Sequence, residues 1–374
     1  MINSVSFKDF RGLNNLKIPM SQVTLLTGEN GVGKTSVLEG LYCLFSDTKL
    51  DVSPLSRYDK TFGVAIHPLS ATPWNITAKY NYKLFWEECP TYDKNECSVV
   101  VEEENLIWSW KYYKATLDDI ISEWSDVKNS PTPIDSATEF AYFEWNLKGK
   151  IFDKGKKQSL NDKFTAAQIL YPDGGLYFLN NNHPLSIRMK STCRYLDFSL
   201  IRTQPKKLSY QTSKELTKAL KIINKQVKDV RLTDALSGLS VILDNDREVS
   251  LGNLGNGVVT WASILISIYD EIAKNHTKEE PILFLIDEMG AGIHYSVMLD
   301  IWKYLKDFSE QNNNIQFVFT SHNADCIRAY CEAFEDSDKA NVVQLYRNVN
   351  KLIVSNEYKK QEFIDIIEGN SEVR

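Results

Sequence analysis

The chain has 374 residues, 43% of them hydrophobic and 25% charged, with a formal net charge of −6; this supports a packed core and excludes a uniformly basic nucleic-acid coat, though not a local basic patch. No apolar run approaches the roughly 20 residues that span a bilayer, and residues 1–7 lack the basic and long apolar regions of a signal peptide, so no membrane association is expected. Six cysteines without a C-x-x-C pair argue against a zinc site or a disulfide framework and for a reducing, cytoplasmic setting.

Residues 2–7 alternate and predict a strand, followed by Phe7-Lys8-Asp9-Phe10-Arg11-Gly12 and a second short strand near Leu16–Ile18. Val23–Thr27 predicts a buried strand. It runs into Gly28-Glu29-Asn30-Gly31-Val32-Gly33-Lys34-Thr35, which fits G-x-x-x-x-G-K-[ST], the phosphate-binding loop. Ser36–Phe45 then has a helical pattern, with Val37, Leu38, Leu41 and Leu44 or Phe45 on one side. The chemistry needs this strand–loop–helix context. Gly28, Gly31 and Gly33 let the backbone curl into a nest of N–H groups, and the helix N-terminus adds positive potential. Lys34 is expected to reach the β- and γ-phosphates of ATP, and the Thr35 hydroxyl to ligate Mg²⁺. Asn30, Gly31, Gly33, Lys34, Thr35 and Ser36 are the expected nucleotide-binding residues of this segment.

Phe7-x-x-Phe10-Arg11-Gly12 followed by Gly-Glu-Asn-Gly-x-Gly-Lys-Thr resembles the opening of ABC-type ATPases of the RecF, SMC and OLD (overcoming lysogenisation defect) group. That group senses magnesium and γ-phosphate through a glutamine in the following loop. Residues 46–70 hold no glutamine, so that residue is not assigned.

Residues 71–199 hold Trp74, Trp86, Trp108, Trp110, Trp124 and Trp145. Residues 75–84 and 97–110 predict strands, with Trp108 and Trp110 on one face by the period of two. Residues 116–125 predict a short helix and 148–157 a hairpin. The block is read as an inserted β-rich/α module. Its aromatics either fill the module's own core or bind something specific.

Residues 202–231 are locally basic. Lys214, Lys218, Lys221, Lys225 and Lys228 alternate with Leu216, Leu220, Ile223, Val227 and Val230; read as one helix, these form a lysine ridge opposite an apolar seam. Such a ridge, across residues 206–231, either is a solvated surface or meets DNA or an acidic protein. Asp244-Asn245-Asp246 predicts a hairpin turn, and a long helix is expected over about 259–274.

Between them, Leu254-Gly255-Asn256-Gly257-Val258 resembles the ABC signature segment. Gly255 stands where that segment carries a serine, so the expected contacts of Gly255, Asn256 and Gly257 to the γ-phosphate of a second subunit are chiefly backbone N–H groups. Pro281–Ile286 predicts a strand buried on both faces and ends in Asp287-Glu288. Asp287 is expected to hold Mg²⁺ and Glu288 to polarise the attacking water. Residues 289–294 resemble the OLD-group loop in which a histidine follows this glutamate; His294 either has that role or simply starts a helix. Residues 296–308 predict a helix and 315–320 a buried strand, after which Ser321-His322-Asn323 matches the ABC switch, whose histidine contacts the γ-phosphate. A hairpin over 342–354 and a short helix close the chain.

The expected fold is α/β: a P-loop NTPase with an ABC-type head, mixed and mainly parallel, plus a small antiparallel sheet. Residues 1–70 and 200–374 form the head, with 71–199 inserted. The resemblance implies an ATPase that assembles as a homo-oligomer through ATP-sandwich sites and controls a separate effector protein, a nuclease or toxin, in bacterial anti-phage defence. The segment after His322 is too short for a Toprim nuclease domain, so a nuclease is expected on another chain. A DNA-binding repair ATPase like RecF is the alternative.

Overall fold

A computed structural model describes residues 1–45, 90, 94–123, 139–153, 156–170, 176–179, 192–197, 210–232, 239–274 and 281–368. The chain divides into two compact units. One comprises residues 1–20, 35–190 and 346–355, and the other 21–34, 191–345 and 356–374.

The first unit is built on a seven-stranded sheet of β1 (Ile2–Lys8), β2 (Leu16–Pro19), β4 (Glu96–Glu103), β5 (Leu106–Ala115), β6 (Glu139–Asp153), β7 (Lys156–Leu170) and β8 (Leu176–Leu179), in the order β2-β1-β4-β5-β6-β7-β8. Its pairings are antiparallel throughout. The expected hairpin near residue 150 is present, and its arms are 15 residues each. The short helix α2 (Leu117–Glu123) follows β5. Trp108 and Trp110 are both buried, and Trp110 meets Phe10 edge-on at 6.1 Å and stacks on Tyr112 at 6.4 Å. For these two tryptophans the core reading holds.

The Phe7-x-x-Phe10-Arg11 motif docks against helix α1 (Lys34–Phe45). A Cβ at Gly40 would lie 2.5 Å from the Phe7 ring, and Arg11 pairs with the buried Glu39 at 2.7 Å. The motif is therefore a packing device around one ion pair. β1 and β2, assigned from sequence to the head, share this sheet with the strands assigned to the insertion.

The second unit carries the sheet β16-β15-β3-β14-β13-β9, formed by β16 (Ile353–Tyr358), β15 (Ala340–Arg347), β3 (Val23–Thr27), β14 (Ile315–Thr320), β13 (Ile282–Asp287) and β9 (Thr192–Asp197). From β15 through β9 the pairings are parallel. Every residue of β3, β13 and β14 is buried, as their unbroken apolar runs require of strands covered on both faces. β9 comes from residues assigned to the insertion; its pairing with β13 joins residues some ninety positions apart, which no local pattern signals.

The helices of this unit are α3 (Tyr210–Ile223), α4 (Asn256–Lys274), α5 (Met298–Gln311), α6 (Ala324–Ala333) and α7 (Lys360–Glu368). Buried polar groups tie them down. Trp261 Nε1 donates to the Ala219 carbonyl, and Trp302 Nε1 to that of Cys326, each at 3.0 Å. Gln22 Nε2 reaches the Ser309 carbonyl at 2.7 Å, fixing the entry to β3.

The predicted helix over 202–231 is corrected. α3 stops at Ile223, Asn224 makes a turn, and Val227–Leu232 is strand β10, paired with β11 (Leu239–Leu243), which pairs with β12 (Glu248–Ser250). A register shift between Val227 and Asp229 puts the two buried residues Val227 and Val230 three apart on one strand face. A β-bulge thus imitates the helical period. Lys225 and Lys228 do not continue the ridge, and Lys228 pairs with Asp246 in the turn between β11 and β12.

Candidate nucleotide site

Because β13, β14 and β3 are parallel neighbours, their carboxyl ends open on the same edge of the sheet. Each end carries one of the sequence motifs. β3 leads into the glycine-rich loop, β13 ends at Asp287-Glu288, and β14 leads into Ser321-His322. Crevices at such carboxyl edges are where open α/β sheets bind ligands.

The loop is shaped by glycine. Gly28, Gly31 and Gly33 have φ of +136°, +80° and +86°. At Gly28 a Cβ would lie 2.1 Å from the Leu345 carbonyl oxygen, so no other residue fits between the loop and β15. Glu29, Asn30 and Gly31 are exposed at the loop's tip, whereas Lys34 is buried. The Lys34 ammonium donates to the carbonyls of Gly28 (2.7 Å) and Glu29 (2.8 Å). Burial lowers its pKa below the ordinary lysine value, against the opposing pull of Asp287, Glu288 and Glu29. The geometry thus brings Lys34 electrostatically near both carboxylates. Thr35 and Ser36 follow as half-buried residues of α1's first turn.

At the end of β13, Asp287 is buried and Glu288 exposed. Glu288 has a φ of +53°, a conformation that costs a non-glycine residue about 1–3 kcal/mol and is held only by its surroundings. Here the surroundings are β14 and the turn after it. Thr320 Oγ1 donates to Asp287 Oδ1 at 2.5 Å and accepts the Glu288 N–H at 2.8 Å. The Met289 N–H donates to the Thr320 carbonyl at 2.7 Å, and Ser321 Oγ and Cys326 Sγ donate to the Met289 carbonyl at 2.9 and 3.2 Å. In the sequence Ser321 counted only as part of the switch that ends in His322, and neither Thr320 nor Cys326 was given a role of its own. The one available signal was a hydroxyl residue at the end of the strand beside the acidic pair.

His322 is exposed immediately after this clasp, and Asn323 caps α6 by accepting from the N–H groups of Asp325 and Cys326. Burial raises the Cys326 thiol to about 11, so it is a neutral donor. His294 starts a single 3₁₀ turn, its Nδ1 accepting from the Ser296 N–H, and its ring packs on Tyr295. Of the two readings of His294, this geometry is the capping one.

The Gly255–Gly257 segment opens α4, with Gly255 and Asn256 exposed and Gly255 at a φ of +90°. Gly257 is different. A Cβ there would lie 2.6 Å from the Gly292 carbonyl oxygen, so it packs on the loop that follows Glu288. A separate groove of about 450 Å³ opens among α3, α4 and α5, lined by residues including Lys218, Tyr269, Tyr304 and Phe308; none of the site residues lines it.

Among the described residues no group of three or more His, Cys, Asp or Glu could hold a metal. Magnesium is ordinarily held by one or two carboxylates together with substrate phosphates, and the buried Asp287 carboxylate fits that role. Residues 46–70, where a magnesium-sensing glutamine was sought, and Trp74, Trp86 and Trp124 lie outside the described residues. No described helix is long and apolar enough to cross a membrane.

The chain matches the AAA ATPase domain family (AAA_15) over residues 1–107 and 73–327. An ATP/GTP phosphatase of Helicobacter pylori (strain ATCC 700392 / 26695) is 22% identical over 372 residues, covering 92% of each chain. Similar solved structures include the recombination mediator protein RecF with ATP (TM-score 0.41, 10% identity, 96% of this chain and 97% of that one). Another is cbiO1 of Clostridium perfringens, part of an ABC transporter complex (TM-score 0.36, 11% identity, 96% and 90%). The family match spans most of the chain, and the phosphate loop, the Asp287-Glu288 pair and the Ser321-His322 turn stand at the ends of three adjacent parallel strands: the chain belongs to the AAA ATPase domain family and is a P-loop ATPase.

Proposed function

We propose that this chain is an ATP-driven switch. It closes with a second copy over bound ATP and, through that assembly, controls a separate effector in the cytoplasm. The observation that carries the reading is the convergence of Lys34, Asp287, Glu288 and the His322 turn at the carboxyl ends of three adjacent strands.

Backbone N–H groups from Asn30 to Gly33 cradle the phosphates, and Lys34 neutralises the β/γ charge once its ammonium exchanges carbonyls for phosphate oxygens. Thr35 and Asp287 would hold Mg²⁺, which when bound would help neutralise the negative charge of the phosphates. Glu288 polarises the attacking water and His322 contacts the γ-phosphate. The Gly255-Asn256 end of α4 supplies N–H groups to the ATP of the other copy, as a helix N-terminus is suited to do; its exposure supports this. Hydrolysis then releases the contact.

The defence setting, with a nuclease or toxin as effector, rests on the resemblance to stand-alone OLD-like ATPases, as does the reading of residues 71–199 as an insertion. A second reading, direct DNA binding as by a repair ATPase, is favoured by Lys214, Lys218 and Lys221, which stay exposed along α3.

Mixing two inactive variants tests the shared site. Lys34→Ala removes the phosphate contact. Asn256→Asp places a negative charge where the partner's γ-phosphate would sit, yet suits the start of its own helix. A mixed dimer has one doubly damaged and one intact site, so partial recovery of hydrolysis on mixing is expected. Full turnover by Asn256→Asp alone contradicts the shared site.

A further inference from the structure

Thr320 ends β14 and is fully buried, and its one hydroxyl serves both acidic residues at the end of β13. We propose that Thr320 is a positioning residue for hydrolysis, holding the Asp287 carboxylate and the Glu288 backbone in fixed register through that hydroxyl. The inference rests on the reading of Glu288 as the group that polarises water.

Glu288 is exposed, so packing does not aim its side chain; its backbone does. That backbone has a φ of +53°, in the left-handed region that non-glycine residues seldom occupy. Two bonds from the residue beside it keep it there: the hydroxyl of Thr320 takes the Glu288 N–H, and the carbonyl of Thr320 takes the Met289 N–H. Ser321 and Cys326 then fix the Met289 carbonyl from the other side.

The same hydroxyl proton is committed to Asp287 Oδ1. This leaves the oxygen lone pair for Glu288 and makes the two bonds mutually reinforcing. Removing the hydroxyl takes this donor from Asp287 Oδ1 and this acceptor from the Glu288 N–H, which frees the Glu288 peptide to rotate. A hydroxyl donates and accepts through a single oxygen, and serine offers the same group as threonine.

Four variants separate hydroxyl from methyl and parent reading from inference: Thr320→Val keeps the volume, Thr320→Ser keeps the hydroxyl, Thr320→Ala keeps neither, and Glu288→Gln tests the parent reading. Each is assayed for steady-state turnover, for calorimetric binding of a non-hydrolysable ATP analogue, and for thermal unfolding. Thr320→Val and Thr320→Ala are expected to lose about 10- to 100-fold in kcat, the scale of a small misplacement of a reacting group, with analogue affinity within about threefold of wild type.

Thr320→Ser is expected to stay within about threefold of wild type in both measurements. A Ser variant as slow as the Ala variant would show that the methyl matters and overturn the inference. So would wild-type kcat in either hydroxyl-free variant while Glu288→Gln is inactive. Turnover by Glu288→Gln would instead overturn the reading on which the inference stands.

Discussion

Gly257→Ala isolates a contact that the motif alone does not reveal. The added Cβ would lie 2.6 Å from the Gly292 carbonyl oxygen and 3.2 Å from Ile293 Cα, both backbone atoms that cannot swing aside. Ordinary contact begins at 3.4 Å, so the half-buried start of α4 and the loop at the exposed Gly292 must part by about 0.8 Å. That loop is tied to the site, because the Ala291 N–H donates to the Glu288 carbonyl and the Ile293 N–H to that of Gly290.

Overpacking costs about 1–3 kcal/mol. The gain from alanine over glycine near a helix start returns at most about 1 kcal/mol. The net expectation is a loss of about 0–2 kcal/mol, a fall in Tm of up to about 6 °C, with turnover reduced roughly tenfold as the displacement reaches Glu288. Gly252→Ala is the control, since its Cβ meets nothing nearer than 4.0 Å and its backbone needs no positive φ. Urea unfolding, calorimetry and kcat for both proteins decide the matter. A Gly257→Ala protein more stable than wild type, with undiminished turnover, would show that the contact relaxes freely and does not couple α4 to the catalytic loop.

Three further outcomes are expected. Lys34→Ala abolishes binding of a non-hydrolysable ATP analogue by calorimetry, since it removes the cation nearest the phosphates; wild-type affinity would mean the loop is misassigned. In the unliganded protein burial lowers the Lys34 pKa. Its charge is therefore lost as pH rises at values below those for an ordinary lysine, and analogue affinity, measured across alkaline pH, weakens correspondingly early. Charge reversal at Lys214, Lys218 and Lys221 leaves folding and basal hydrolysis nearly intact, because all three are exposed. If this face meets DNA, the salt slope falls by roughly one unit per lost phosphate contact; an unchanged slope with measurable DNA binding removes α3 from that role.

What could be read from the sequence was what is local. Gly28 to Thr35, Pro281 to Glu288 and Ile315 to His322 each carry their chemistry within a few residues of a strand end, and the strand–loop–helix pattern locates them. The seam from Leu216 to Val230 misled because a bulge in β10 spaces Val227 and Val230 as a helix would. β9 fell within the aromatic-rich block read as an insertion, and its partner β13 is too distant in the chain for any local pattern to signal the pairing. Thr320 was passed over for the same reason: its importance lies in two bonds to the neighbouring strand, which only the parallel register of β13 and β14 creates. Gly257 was read as a phosphate contact from its motif; that a Cβ there would meet the Gly292 carbonyl oxygen is a tertiary fact the motif does not carry.

The most direct test of the central claim is a paired measurement on Glu288→Gln: binding of Mg²⁺ and ATP by calorimetry, and single-turnover hydrolysis. Binding close to wild type is expected, with hydrolysis slowed by about 10²-fold or more, the usual scale for losing a general base, and an ATP-dependent assembly that persists in light scattering. Hydrolysis at the wild-type rate would contradict the claim.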